Sequence, residues 1–110
     1  MRSLCSAVAT AMSAIALATA AVATAAVTPE RAGELERLVR QDCGSCHGMT
    51  LKGGLGPDIR AERMSRLETD TIAAIVLDGV PGTPMPPWRP LISEADAQWI
   101  ARYLAKGSRP

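Results

Sequence analysis

The apolar and polar positions divide the chain into one unbroken apolar run, three helical stripes and two stretches without any period. The apolar run covers about Val8 to Val22 and is built chiefly from Ala, Val, Ile, Leu and Thr. The first stripe is Ala32, Leu35, Leu38 and Val39, with Glu34, Glu36, Arg37 and Arg40 on the other side. This spacing predicts an amphipathic helix. Thr28 suits its N-cap, Pro29 its first helical position and Glu30 its first turn. The helix is expected to run to about Asp42. Ile72, Ile75 and Val76 form a second stripe, predicting a helix from Thr69 to Asp78 stopped by Gly79. Ala97, Ile100, Ala101 and Leu104 form the third. It opens on a capping box, Ser93-Glu94-Ala95-Asp96, and closes at Lys106 and Gly107. The last helix is expected to cross the first, with Ile100 and Tyr103 packing near Gly33, which we read as a close-contact point rather than a weak spot.

The two aperiodic stretches differ in kind. Residues 48–66 carry Gly48, Gly53, Gly54, Gly56 and Pro57, and a loop this rich in glycine is expected to wrap something. It lacks the spacing of a phosphate-binding loop. Arg60, Arg63 and Arg66 read as a solvated face. Residues 80–90 hold five of the chain's eight prolines around Met85. Polyproline recognition is one reading of such a segment. The other is a loop stiffened to hold one sulfur at a fixed point.

The apolar run follows Arg2 and precedes small-x-small sites at Ala21-Val22-Ala23 and Ala23-Thr24-Ala25, the layout of a secretory signal over residues 1–26. An uncleaved anchor is the alternative, but the run is Ala-rich and weakly apolar for a spanning helix. One domain, residues 27–110, is expected to remain, in the periplasm and without a stable membrane anchor. Cys5 leaves with the leader. Lys and Arg then total 11, the full 12 less Arg2, against 11 Asp and Glu, which all lie beyond residue 26. A neutral surface gives no reason to invoke nucleic acid. The chain has no Phe, and its aromatic residues are Trp88, Trp99 and Tyr103. A domain so small and aromatic-poor is expected to need a large apolar cofactor to complete its core.

The candidate chemistry lies at Cys43-Gly44-Ser45-Cys46-His47. Two cysteines with two residues between them, followed by histidine, match the attachment pattern of c-type haem. Each thiol would add to a vinyl group, and His47 would fall beneath the iron. A thioredoxin-like dithiol would want a β-α-β surround, and no strand pattern precedes Cys43. A structural zinc site would want ligands that the chain does not supply. An axial histidine needs an acceptor for its other ring nitrogen, and the Pro57 carbonyl is the candidate, with a plain turn proline as the alternative. For the second axial position Met85 competes with Met49 and Met64. Met49 is two residues from His47, and Met64 has no stiffening neighbours. Met85 is therefore the expected iron ligand, a soft neutral sulfur suited to haem. Trp88 is expected to close the haem edge, its indole N–H seeking a partner.

The order helix, Cys-x-x-Cys-His, Gly-Pro loop, helix, Met in a Pro-rich loop and C-terminal helix resembles the small monohaem class I cytochromes c. The resemblance implies an all-α fold of about three main helices around one haem c. It implies thioethers at Cys43 and Cys46, iron held by His47 and Met85, and a Pro57 carbonyl on the histidine. The segment from Gly82 to Trp88, followed by Leu91 to Asp96, resembles more narrowly the cytochromes c-55X, encoded beside cd1-type nitrite reductase in denitrifying bacteria. That likeness implies a periplasmic electron carrier rather than an enzyme. It would be a monomer serving redox proteins such as the reductase, or the maturation of the reductase's haem. An open-site haem protein, peroxidase-like or gas-sensing, is the rival and requires Met85 to be off the iron.

Overall fold

A computed structural model describes residues 26–107. The expected leader over residues 1–26 therefore lies almost wholly outside the described residues. Among these the secondary structure is entirely helical. Helix α1 spans Pro29–Leu38, and its amino end is capped as the sequence suggests, with Arg31 N donating to Thr28 Oγ1 at 3.2 Å. The chain does not leave the helix at Asp42. It passes through a π-helical turn, Val39–Cys43, directly into α2, Gly44–His47. The cysteine motif is thus the last part of one continuous helical rod and not a turn after it. The widened turn is closed by Gly44 N on the Val39 carbonyl, and Ser45 Oγ donates to the Asp42 carbonyl at 2.7 Å, so nothing breaks the rod before Gly48.

Residues 48–66 contain a short helix that the sequence pattern does not reveal, α3, Ala61–Met64. Helix α4 is Thr69–Asp78, and α5 is Glu94–Lys106. Both match their expected bounds. The capping box of α5 is complete: Asp96 N donates to Ser93 Oγ at 3.1 Å, and Ser93 N to Asp96 Oδ2 at 3.0 Å.

The core sits where α1, α4 and α5 meet. Leu35, Val39, Ala97, Ile100 and Ala101 are fully buried, joined by Ile72, Ala73, Val76, Leu77, Ile92 and Leu104. Burying side chains such as Leu35 or Ile100 contributes about 2 kcal/mol each. The expected stripe of α5 is all buried, whereas on α4 Ile75 stays 40 % exposed and Ala73 and Leu77 take its place inward. Gly33 also departs from expectation. A Cβ placed there would meet only the Arg37 guanidinium, at 3.7 Å, so it is not where α5 bears on α1. Side chains reach across instead. Arg31 donates twice to Asp96, at 2.8 and 3.2 Å, and Tyr103 Oη donates to Glu36 Oε1 at 3.2 Å. Tyr103 is also stacked on Trp99, ring centroids 4.9 Å apart.

Candidate functional site

The end of α2 leaves backbone carbonyls without helical partners. The glycine-rich loop supplies them. Gly56 N donates to the Cys46 carbonyl at 2.8 Å and Gly53 N to the His47 carbonyl at 2.7 Å. Leu51, buried and at φ 60, accepts from Ile59 N at 3.0 Å and closes the loop on itself. What the loop wraps, then, is the carboxyl end of the motif helix.

This folding brings Pro57 to His47. The His47 Nδ1 lies 2.7 Å from the Pro57 carbonyl oxygen. A carbonyl only accepts, so Nδ1 is the donor here and, in the neutral imidazole, Nε2 keeps its lone pair. Gly56 is the residue that permits the approach. A Cβ there would lie 2.7 Å from Cε1 and 2.8 Å from Nδ1 of the same ring. Sequence reading finds the Pro57 carbonyl but misses Gly56 as the wall against which the imidazole lies. Its place directly before Pro57 is the signal that could have shown it.

Cys43 and Cys46 are unpaired thiols, both half-buried. Burial pushes the Cys43 thiol up to about 11, with the Asp42 carboxylate adding to the effect. A redox dithiol needs the opposite shift. Among the described residues no group of three or more His, Cys, Asp and Glu converges as a metal cluster would. The raised Cys43 value counts against the dithiol reading of the motif.

Met85 and Trp88 stand on a second structure, the loop after α4. Gly79 caps α4 at φ 66 and ψ −170. From there the chain is tied back in several places. Val80 N donates to the Met85 carbonyl at 3.2 Å, Trp88 N to the Val76 carbonyl at 3.1 Å and Arg89 N to the Leu77 carbonyl at 3.1 Å. Arg89 also holds Asp78 at 2.7 and 2.9 Å. Met85 and Trp88 are both half-buried, and Trp88 packs against the core. Met49, by contrast, is 77 % exposed. Of the arginines expected to be merely solvated, Arg60 is engaged, paired with Asp58 at 2.8 Å, and this holds the Asp58 carboxyl down at about 2.

Residues 30–104 match the family model described as cytochrome c oxidase, cbb3-type, subunit III. Cytochrome c55X of Paracoccus denitrificans is 54 % identical over 76 residues, which are 69 % of this chain and 74 % of that protein. The chain belongs to the cytochrome c55X family. Among solved structures, the c-type cytochrome NirC superposes with a TM-score of 0.71 at 44 % identity, covering 74 % of this chain and 95 % of that one. The dihydro-heme d1 dehydrogenase NirN, in complex with DHE, matches at 33 % identity and a TM-score of 0.61. The match covers 68 % of this chain but 16 % of that one. The fold is accordingly the all-α cytochrome c fold, and the cofactor is haem c with its iron. The residues fit such a group. The motif offers two thiols and a histidine whose Nε2 lone pair is available, and no other histidine exists in the chain.

Among the described residues no helix is long and apolar enough to cross a membrane.

Proposed function

We propose that this cytochrome is a periplasmic single-electron carrier, with Cys43 and Cys46 as the thioether residues and His47 and Met85 as the axial ligands. The hydrogen bond from His47 Nδ1 to the Pro57 carbonyl carries the reading. It fixes the tautomer, aims the ring and raises the basicity of Nε2. Bound haem c would supply one-electron iron chemistry, and with His47 and Met85 both holding the iron no position would be left for a substrate. Met85 offers a neutral thioether, which favours the ferrous state. Trp88, held between core and loop, shields the cofactor's edge. The chain works as a monomer, after cleavage of residues 1–26, and its acceptor is cd1-type nitrite reductase. The near neutrality of the chain, net +1 before the leader is removed, suits brief encounters over a small apolar area.

A second reading draws on the partial likeness to a dihydro-heme d1 dehydrogenase. The same chain could take electrons during maturation of the reductase's haem rather than deliver them for nitrite reduction.

Met85→Ala tests the ligand set. The ferric thioether-to-iron band in the near-red is expected to vanish, the midpoint potential to fall and cyanide to bind, while Met64→Ala leaves all three unchanged. The reverse pattern would place Met64 on the iron and reject our assignment. Mixing the ferrous protein with cd1-type nitrite reductase then separates the two roles. Rapid oxidation supports donation. No oxidation, with reduction of the ferric protein during d1-haem dehydrogenation, supports maturation.

A further inference from the structure

The contact between Gly79 and the backbone of the Met85 loop has a function beyond ending α4. A Cβ on Gly79 would lie 2.6 Å from the Met85 carbonyl oxygen, 2.8 Å from Pro86 C and 2.8 Å from Pro87 N. Real side chains do not approach so closely, so any residue but glycine would have to push this backbone away. The carboxyl end of α4 is therefore in direct contact with the peptide that carries Met85. Two further ties bear on the same peptide. Val80 N donates to the Met85 carbonyl, and Thr83 bridges the loop, its Oγ1 accepting from Met85 N at 3.3 Å and donating to the Val80 carbonyl at 2.7 Å. Prolines at 84, 86 and 87 cannot donate, so these bonds fix the loop around Met85, while Trp88 N and Arg89 N register its far end on the Val76 and Leu77 carbonyls of α4.

We infer that Gly79 and Thr83 are positioning residues for the sulfur ligand: the end of α4 sets where Met85 stands, and hence how firmly the second axial position is held. The inference rests on Met85 being that ligand. It concerns neither residue as a ligand itself.

The loop offers its own control. Gly82 also has positive φ, at 78, but a Cβ there would meet nothing within 4 Å. Gly79→Ala and Gly82→Ala thus share backbone strain and differ in whether the Met85 peptide is displaced. On purified ferric holoprotein, Gly79→Ala should lose much of the near-red band and bind cyanide at least about tenfold more tightly, since a larger fraction of molecules has the sulfur withdrawn. Gly82→Ala should keep the wild-type band and cyanide affinity, whatever its melting temperature. Thr83→Ala removes both hydrogen bonds of an exposed hydroxyl and should raise cyanide affinity about fivefold, and Thr83→Ser should restore it. If Gly79→Ala does not accumulate, the Thr83 pair decides the matter alone. Equal cyanide affinity in wild type and Thr83→Ala, or equal effects of Gly79→Ala and Gly82→Ala, would overturn the inference. A Met85→Ala protein with the wild-type spectrum would instead remove the ligand assignment beneath it, so the two failures are distinguishable.

Discussion

On the proposed ligand set, the His47 loop and the Met85 loop face the same mechanical problem and meet it by different means. Around His47 the holding bonds are short, 2.7 to 2.8 Å, and run from the loop to the carbonyls and ring of the motif itself. Glycine lets the backbone close in, and each contact fixes an atom of the residue that matters. Around Met85 the bonds run from 2.7 to 3.3 Å and hold the loop's backbone and the Thr83 hydroxyl rather than the Met85 side chain. Stiffness comes from proline rings, which restrict φ without any partner. The first region is held by hydrogen bonds that include the ligand's own ring, the second by hydrogen bonds to backbone, proline rings and one docking contact at Gly79. A loop of the second kind can move as a unit, so the Met85 side is the compliant one.

The largest blow to this comparison removes the cofactor from both sides. Cys43→Ala or Cys46→Ala should leave little stable protein, because so small and aromatic-poor a domain then lacks the large apolar cofactor that completes its core. Circular dichroism should show little helix, and a cooperative thermal transition equal to that of the holoprotein would refute the expectation. Next in size is Gly56→Ala, which drives a methyl into the His47 ring. It should cost about 1 to 3 kcal/mol of stability, the usual range for overpacking a tight contact. It should also weaken the bond to Pro57. Thermal melts beside Gly79→Ala sharpen the contrast: the rigid side should lose more stability, the compliant side more of its ligand. Equal losses on both sides would erase the distinction.

A smaller effect lies outside both loops. Asp96 is buried and its carboxyl is held below the ordinary carboxylate range, first by the Arg31 hydrogen bonds. A lowered folded value means that its contribution is complete above the unfolded value near 4 and disappears as pH falls through the folded one. Asp96→Asn cannot titrate. It should be less stable at neutral pH by about 1 to 2 kcal/mol, yet its melting temperature should fall less steeply than that of wild type between pH 5 and pH 3. Parallel acid profiles would show that the pair contributes nothing.

Much of this was legible because the signals are local. Thr28-Pro29, the stop at Gly79 and the box at Ser93 each depend on a few neighbouring residues, and each element begins or ends where those residues place it. The continuity of α1 through a π turn into the cysteine motif was not legible, since a π turn leaves no mark on the apolar periodicity that was expected to end at about Asp42. Ile75 and Gly33 were misplaced for another reason. Periodicity gives a face, but which edge of that face touches a neighbour depends on how helices cross, and that is set by partners such as Arg31 and Asp96 far apart in sequence.

That distance has a temporal meaning. Arg31 and Asp96 are separated by 65 residues, whereas His47 and Pro57 are separated by 10. Short closures cost less chain entropy and form sooner. A chain delivered amino end first can therefore organise its cysteine motif while the thiols are still reachable, before the sealing helix exists. Covalent modification and tertiary closure become separate events, the second locking in the product of the first. A chain stopped at Ile92 should then still gain the mass of haem but melt without cooperativity, and failure to gain it would bind the two events into one.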